Sequence, residues 1–76
     1  MEKIYAILEE LRPEFDFKAS SDFIEDGLLD SFDVISLVSE IEDSFDVLID
    51  ALDILPENFS SVEAIIAIIK KNGGEI

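Results

Sequence analysis

The sequence predicts an all-α domain, a small bundle of three main helices with a long connection between the first and the second. Three stretches repeat apolar residues at intervals of three and four, which is the spacing of one helix face. Pro13 and the run Asn72-Gly73-Gly74 stop the first and last of these stretches. The chain has 76 residues, and 49% of them are apolar, which is enough apolar surface to form one core. Residues 1–76 are therefore predicted to form a single folded domain, despite a net charge of −14.

The first helix is predicted from Glu2 to Arg12. Its apolar residues gather on one face, with Glu9 and Glu10 on the other. Pro13 ends it, because a residue that precedes proline is pushed out of the helical region. The predicted inward positions are Ile4, Ile7, Leu8 and Leu11.

A connection as long as 14–30 needs a reason in so small a domain. Its apolar side chains supply one, because they can pin the connection across the ends of the helices. Ser20, Ser21 and Asp22 are suited to cap a short turn within it. The segment is therefore predicted to present Ser31 where the connection meets the next helix. The predicted anchors are Phe15, Phe17, Phe23, Ile24, Leu28 and Leu29.

The second helix is predicted from about Ser31 to Ser44. Its buried stripe comprises Val34, Leu37, Val38, Ile41 and Phe45, with Ile35 on the border. The polar side comprises Asp33, Ser36, Ser39, Glu40 and Asp43. Phe32 falls toward that polar side beside Ser31, and a large aromatic ring left on an acidic face suggests a contact surface.

The chain after the second helix is predicted to be irregular and then helical again. The inward anchors predicted within residues 46–59 are Val47, Ile49, Leu52, Ile54 and Leu55. Ser60 and Ser61 suit the start of the last helix, and Lys70 and Lys71 suit the negative end of its dipole. The buried face of this helix is predicted to comprise Val62, Ile65, Ile66, Ile68 and Ile69.

Composition narrows the classes of function. The chain has no cysteine, which excludes a disulfide or zinc–thiolate framework, and no histidine, which removes the usual general base and the commonest metal ligand. Nineteen acidic residues against five basic ones disfavour nucleic acid and anionic membranes and favour partner proteins with basic patches. No signal peptide and no membrane-length apolar run is visible, so we expect a cytoplasmic monomer without membrane insertion.

Asp30 and Ser31 stand at a predicted helix start, where side-chain oxygens satisfy unpaired N–H groups and a phosphate is favoured. Taken alone, such a pair is most often only a cap. The six residues Gly27-Leu28-Leu29-Asp30-Ser31-Phe32, followed by a helix that ends in an acidic segment with Phe45, resemble the prosthetic-group site of acyl and peptidyl carrier proteins. The phenylalanine after the serine, where the family usually has leucine, looks most like its D-alanyl carriers.

The resemblance covers nearly the whole chain and implies a single phosphopantetheine carrier domain. It implies that a phosphopantetheinyl transferase attaches 4′-phosphopantetheine to Ser31 and reads Asp30 and Phe32. It also implies a short third helix within residues 46–59, so that the bundle has three main helices plus one short one. The family's docking determinants map onto Asp33, Glu40, Glu42 and Asp43. Ser36 and Ser39 depart from the family, because many carriers have an acidic and a bulky apolar residue there.

The implied function is that of a carrier with no catalytic residue and no metal site. It would hold an acyl or aminoacyl group as a thioester and present it to partners, namely a loading ligase and downstream acyl-transfer enzymes with basic patches. The alternative within this class is a D-alanyl carrier that serves teichoic acid D-alanylation. Stand-alone carriers of fatty-acid, polyketide or peptide pathways are similar.

Other classes of function were weighed from the residues. Asp22, Asp26, Gly27, Asp30 and Asp33 fall at positions of an EF-hand-like calcium loop. Ile24 at its third position offers no side-chain oxygen, and the last residue is aspartate instead of glutamate. An acidic helical adaptor without a prosthetic group explains the charge but leaves residues 27–32 unexplained. A hydrolase is the weakest reading, since no histidine can activate a serine.

Overall fold

A computed structural model describes residues 2–74, and within that range every regular element is helical. The α-helices are α1 (Glu2–Leu11), α2 (Ser31–Phe45) and α3 (Val62–Lys71). Three short 3-10 turns lie between them, at Phe17–Ala19, Ala51–Asp53 and Pro56–Phe59. The all-α prediction is confirmed, but the segment expected to hold one short third helix contains two separate 3-10 turns instead.

The core forms where α1 packs against α2 and α3 closes over the turn Pro56–Phe59. The stripe predicted for α2 is buried at Val34, Leu37, Val38 and Ile41, whereas Ile35 is exposed. Each large aliphatic side chain removed from water in this way stabilises the fold by about 1.5–3 kcal/mol. The side chains with no measurable exposure are Ile4, Leu8, Leu37, Ile41, Phe59, Ile65 and Ile69.

The long connection between α1 and α2 is held by its aromatic residues, as predicted. Phe17, Phe23 and Leu29 are buried, and Phe15, Ile24 and Leu28 pack against the core from its margin. The rings of Phe17 and Phe23 meet edge to face, with centroids 5.1 Å apart.

Two of the anchors predicted in the segment between α2 and α3 are wrong. Val47 and Ile49 are buried and Ile54 is half-buried, but Leu52 is 83% exposed and Leu55 is exposed as well. The reason is Asp53, whose carboxylate turns inward to the ammonium of Lys71 at 2.7 Å. With Asp53 facing α3, the 3-10 turn directs the neighbouring Leu52 outward.

The helix ends follow ordinary capping chemistry. Ser61 caps α3, its hydroxyl accepting from the amide of Ala64 at 3.1 Å, whereas the Ser60 hydroxyl donates to the Glu57 carbonyl. Asp46 ends α2 in the left-handed region, with φ of 52°. Among the described residues, no helix has the length and apolar character needed to cross a bilayer.

Candidate functional site

The loop before α2 is shaped by one glycine and one aspartate. Gly27 has φ of +76°, a left-handed conformation that side chains resist, and its amide donates to the Ile24 carbonyl at 3.1 Å. The carboxylate of Asp22 accepts from the amides of Ile24 and Glu25 at 3.1 and 3.0 Å. These bonds fold residues 22–27 into a turn that redirects the chain toward α2.

Phe23 fastens this loop to the rest of the molecule. Its ring is buried, and its amide donates to the carbonyl of Ser60 at 2.6 Å. Its carbonyl accepts from the amides of Leu28 and Leu29 at 2.8 and 3.1 Å. The approach to α2 is therefore held by backbone bonds on both sides of a buried aromatic residue.

The first turn of α2 is closed by two aspartates that cap each other. The Asp30 carboxylate accepts from the amide of Asp33 at 2.9 Å, and the Asp33 carboxylate accepts from the amide of Asp30 at 3.3 Å. This reciprocal pair is a capping box with aspartate in the position that glutamate usually takes. Ser31 and Phe32 lie between the two capping residues.

Arg12, the residue directly after α1, completes the arrangement. Its Nε and Nη2 donate to the same oxygen of Asp33, at 3.1 and 2.8 Å. Burial of the Asp33 carboxyl disfavours its charge, but the hydrogen bonds from Arg12 and from the Asp30 amide outweigh this and hold the pKa of Asp33 below its usual value. The hydrogen bond to Asp33 in turn raises the pKa of Arg12.

Ser31 is exposed at the first position of α2. Within residues 2–74 its hydroxyl, like those of four other serines, has no hydrogen-bond partner, whereas the hydroxyls of Ser20, Ser60 and Ser61 are engaged in local turns and caps. What distinguishes Ser31 is its position inside the capping box at the start of α2. Phe32, beside it, is 76% exposed, and Ile35 one turn later is exposed too. The hydroxyl is therefore reachable and lies beside exposed apolar side chains.

The predicted docking residues do not all lie on one surface. Glu40 and Asp43 are exposed on α2, and Glu42 is half-buried with one carboxylate oxygen accepting from the Ile49 amide at 3.0 Å. The placement of Asp33 on the polar side is wrong, because the residue is only 8% exposed and its carboxylate faces Arg12. The helical period could not reveal this, since Arg12 lies 21 residues earlier in the chain.

The carboxylates of the EF-hand-like alternative are engaged separately. Asp22 caps the turn at Ile24, Asp26 accepts from the Ser20 hydroxyl at 2.6 Å, and Asp33 binds Arg12. Over the part of the chain that the structure describes, no three acidic residues are grouped as metal ligands. The geometry gives the calcium-binding alternative no support.

Two residues that matter here escaped the sequence analysis. Arg12 was assigned only to the end of a helix, and Asp53 was not singled out at all. Both make ion pairs between elements that are far apart in sequence, for which the chain has no local pattern. The sequence offers one indirect signal for these ion pairs, which is that it has few cations. With only five Lys and Arg residues, each buried carboxylate has few possible partners.

Comparison with protein families matches residues 2–69 to the family described as phosphopantetheine attachment site. The match covers all three α-helices except the last two residues of α3, and it includes the loop at Gly27 and the exposed Ser31. No curated protein and no solved structure gives a significant match to the chain.

Proposed function

The chain belongs to the phosphopantetheine attachment site family, and on that premise we propose that Ser31 carries the group and that the protein presents acyl or aminoacyl cargo to partner enzymes. Members of the family bear 4′-phosphopantetheine covalently on a serine. The observation that carries the assignment is the position of the exposed Ser31 hydroxyl at the start of α2, directly after the loop at Gly27 and within the capping box.

The surroundings of Ser31 suit an attached phosphodiester. In the described part of the chain, the amides of Ser31 and Phe32 have no backbone or side-chain acceptor, whereas the amide of Asp33 binds Asp30. Free amides at the positive end of a 15-residue helix favour a negative group there. Asp33, the nearest buried carboxylate, is neutralised by Arg12 and so opposes that group less.

In the loading reaction we propose, the Ser31 oxygen forms a bond to the phosphorus of the phosphopantetheine moiety of coenzyme A. The bond from that phosphorus to adenosine 3′,5′-bisphosphate breaks, and the hydroxyl proton passes to the transferase. The chain supplies an accessible oxygen, and Asp30 and Phe32 supply the features that the transferase reads. Once attached, the group provides a thiol, which this cysteine-free chain lacks, and that thiol holds the cargo as a thioester.

For partner docking we propose the exposed carboxylates of α2. Glu40 and Asp43 face solvent, and Glu42 is fixed beside them through Ile49. Basic patches on a transferase, a loading ligase or an acyl-transfer enzyme would be attracted to this side, most strongly at low salt. In this proposal Asp33 acts on the geometry of Ser31 and does not touch the partner directly. The cytoplasmic, monomeric state remains a prediction.

A D-alanyl carrier is the alternative that one observation favours. Phe32, which follows the serine where leucine is usual, is 76% exposed and so is available to a partner that selects it. The holo-protein would be incubated with ATP, a D-alanine ligase and D-alanine, or with an acyl–acyl-carrier ligase and a fatty acid. Thioester formation with D-alanine alone supports the D-alanyl role, and formation with the fatty acid alone supports the acyl role.

The attachment itself is tested by intact-mass measurement after incubation with coenzyme A and a broadly specific transferase. We expect the wild type to gain the mass of one phosphopantetheinyl group and Ser31→Ala to gain none. Ser21→Ala is the matched control, because Ser21 is also exposed but lies in the connection before the loop. Equal labelling of Ser31→Ala and wild type would refute the assignment.

A further inference from the structure

Within residues 2–74, Arg12 is the one cation that reaches the turn holding Ser31. It lies just after α1, where its amide still donates to the Leu8 carbonyl at 2.9 Å, so its backbone is anchored to that helix. Its side chain crosses to the first turn of α2 and binds Asp33 through two nitrogens. The Arg12 backbone is anchored to α1, and its planar guanidinium binds Asp33 through two nitrogens. Such a contact fixes the position of Asp33 more firmly than a single flexible ammonium would.

The contact passes to Ser31 through one short relay of bonds. The Asp33 oxygen that binds Arg12 also accepts from the Asp30 amide, and the other side of the box joins Asp30 to the Asp33 amide. Residues 30 and 33 are thereby held at a set separation, with Ser31 between them. Any rotation of this turn would have to break the Arg12 contact or the capping box.

We propose that Arg12 is a positioning residue for the modification of Ser31, acting through Asp33 and Asp30. The inference rests on the proposed function. By holding the turn rigid, Arg12 keeps the Ser31 oxygen in the orientation from which it bonds to phosphorus. By neutralising Asp33, it also removes a buried negative charge from the path of an anionic donor.

A second ion pair in the molecule provides the control. Lys71 and Asp53 meet at 2.7 Å, and Asp53 is as little exposed as Asp33. The pair joins the turn Ala51–Asp53 to the end of α3, and its hydrogen-bond partners include no residue of 22–34. Arg12→Met and Lys71→Met therefore remove the same charge from two comparable pairs, of which only one adjoins Ser31.

The experiment measures the kinetics of transferase labelling with coenzyme A for wild type, Arg12→Met, Arg12→Lys and Lys71→Met. We expect Arg12→Met to lower kcat about ten- to a hundredfold, because misplacing a reacting atom is costly, while KM for the carrier stays near the wild-type value. Arg12→Lys should fall between the two, and Lys71→Met should keep the wild-type kcat. Hydrogen exchange of the Asp33 amide should accelerate in Arg12→Met and not in Lys71→Met.

The outcomes separate the two proposals. If the wild type is not labelled, or is labelled elsewhere than Ser31, the proposed function fails. If the wild type is labelled on Ser31 and Arg12→Met reaches the same kcat, or if Lys71→Met loses as much, the positioning role fails alone. Should circular dichroism show that Arg12→Met is unfolded, Arg12→Lys decides, and a kcat equal to wild type for that variant overturns the inference.

Discussion

Two aspartates in different parts of the chain are buried to the same extent but have different structural roles. Asp33, in the first turn of α2, and Asp53, in the segment before α3, are each 8% exposed and each bound to one cation. A charge taken from water needs a partner and further hydrogen bonds to be tolerated. Both aspartates meet that condition, but with different partners.

The difference lies in what each pair holds. The Asp33 carboxylate binds the Arg12 guanidinium and the Asp30 backbone amide, and the Asp30 carboxylate caps the Asp33 amide in return. The pair therefore fixes the backbone that bears Ser31. The Asp53 carboxylate, in a 3-10 turn, accepts from the ammonium of Lys71 and from the side-chain amide of Asn72. The pair therefore fastens this turn to the end of α3. Asp33 therefore orders a site, whereas Asp53 closes the fold.

The largest expected effect comes from removing the buried phenylalanine beneath either of the two regions that hold Asp33 and Asp53. Phe23→Ala, beneath the loop to Ser31, and Phe59→Ala, beneath the segment of Asp53, each empty a fully buried space. We expect each to lower the free energy of unfolding by about 3–5 kcal/mol, measured by urea denaturation. Because the Phe23 amide binds Ser60, both regions should unfold in one transition, and a separate early transition in either variant would contradict this.

The two aspartates can next be compared directly. Asp33→Ala removes one half of the capping box and leaves Arg12 with only its 3.6 Å contact to the Glu14 carboxylate, and we expect it to lower the free energy of unfolding by about 1–2 kcal/mol. Asp53→Ala should cost less, because the freed Lys71 side chain is already largely exposed and can be solvated. Thermal unfolding of both variants is the measurement, and a larger loss for Asp53→Ala would reverse the ranking.

Glycine substitutions sharpen the comparison with a smaller effect. Gly27 and Gly73 both have positive φ, and no atom lies within 4 Å of the position that a Cβ would take at either residue. Alanine should therefore cost about 1 kcal/mol at each, from backbone conformation alone. Only Gly27→Ala should also slow transferase labelling of Ser31, since Gly73 lies beyond α3. Equal labelling rates for the two variants would show that the loop conformation does not affect the modification of Ser31.

Alkaline pH should weaken one pair and leave the other intact. The hydrogen bond and charge of Asp53 raise the pKa of Lys71, so its contribution is complete below the unfolded value of about 10.4 and is lost as pH rises through the folded value. The pKa of Arg12 is higher still, so its pair persists. We expect thermal stability to fall above pH 10 in the wild type and to fall less in Lys71→Arg; identical curves would contradict the assignment.

Acid should weaken both pairs together. The hydrogen bond from Lys71 lowers the pKa of Asp53 against the opposing effect of burial, and the pKa of Asp33 is lowered as well. A depressed carboxyl pKa contributes stability above its unfolded value of about 3.9 that is lost as pH falls through the folded value. The free energy of unfolding should therefore decline below about pH 4, more gently in a variant carrying Asp33→Asn.

The local structure around Ser31 was predictable from the sequence because its signals are local. Gly27 marks a turn, Asp30 and Ser31 mark a helix start, and the apolar spacing after Phe32 gives the face that α2 buries. Each of these depends on residues within a few positions of one another, and the structure confirms the exposure of Ser31 and the helix that follows.

What the sequence could not predict depends on distant partners. Asp33 reads as solvent-facing by helical period, yet Arg12 draws it inward from the end of α1. Leu52 reads as an anchor by its apolar character, yet the Asp53–Lys71 pair turns the segment so that Leu52 faces water. Inward and outward facing positions in irregular segments are set by such contacts, which no short pattern contains.

The few cations of the chain are largely bound to the chain itself. Lys3 donates to the Ser44 carbonyl and lies over the ring of Phe45, Lys18 lies near Glu2 and over the ring of Tyr5, and Arg12 and Lys71 hold the two aspartates. With nineteen acidic residues against five basic ones, the molecule carries a net charge of −14. Two copies meeting at cellular ionic strength therefore repel before their exposed Phe32 or Leu52 side chains can touch, so crowding alone should not make this protein stick to itself.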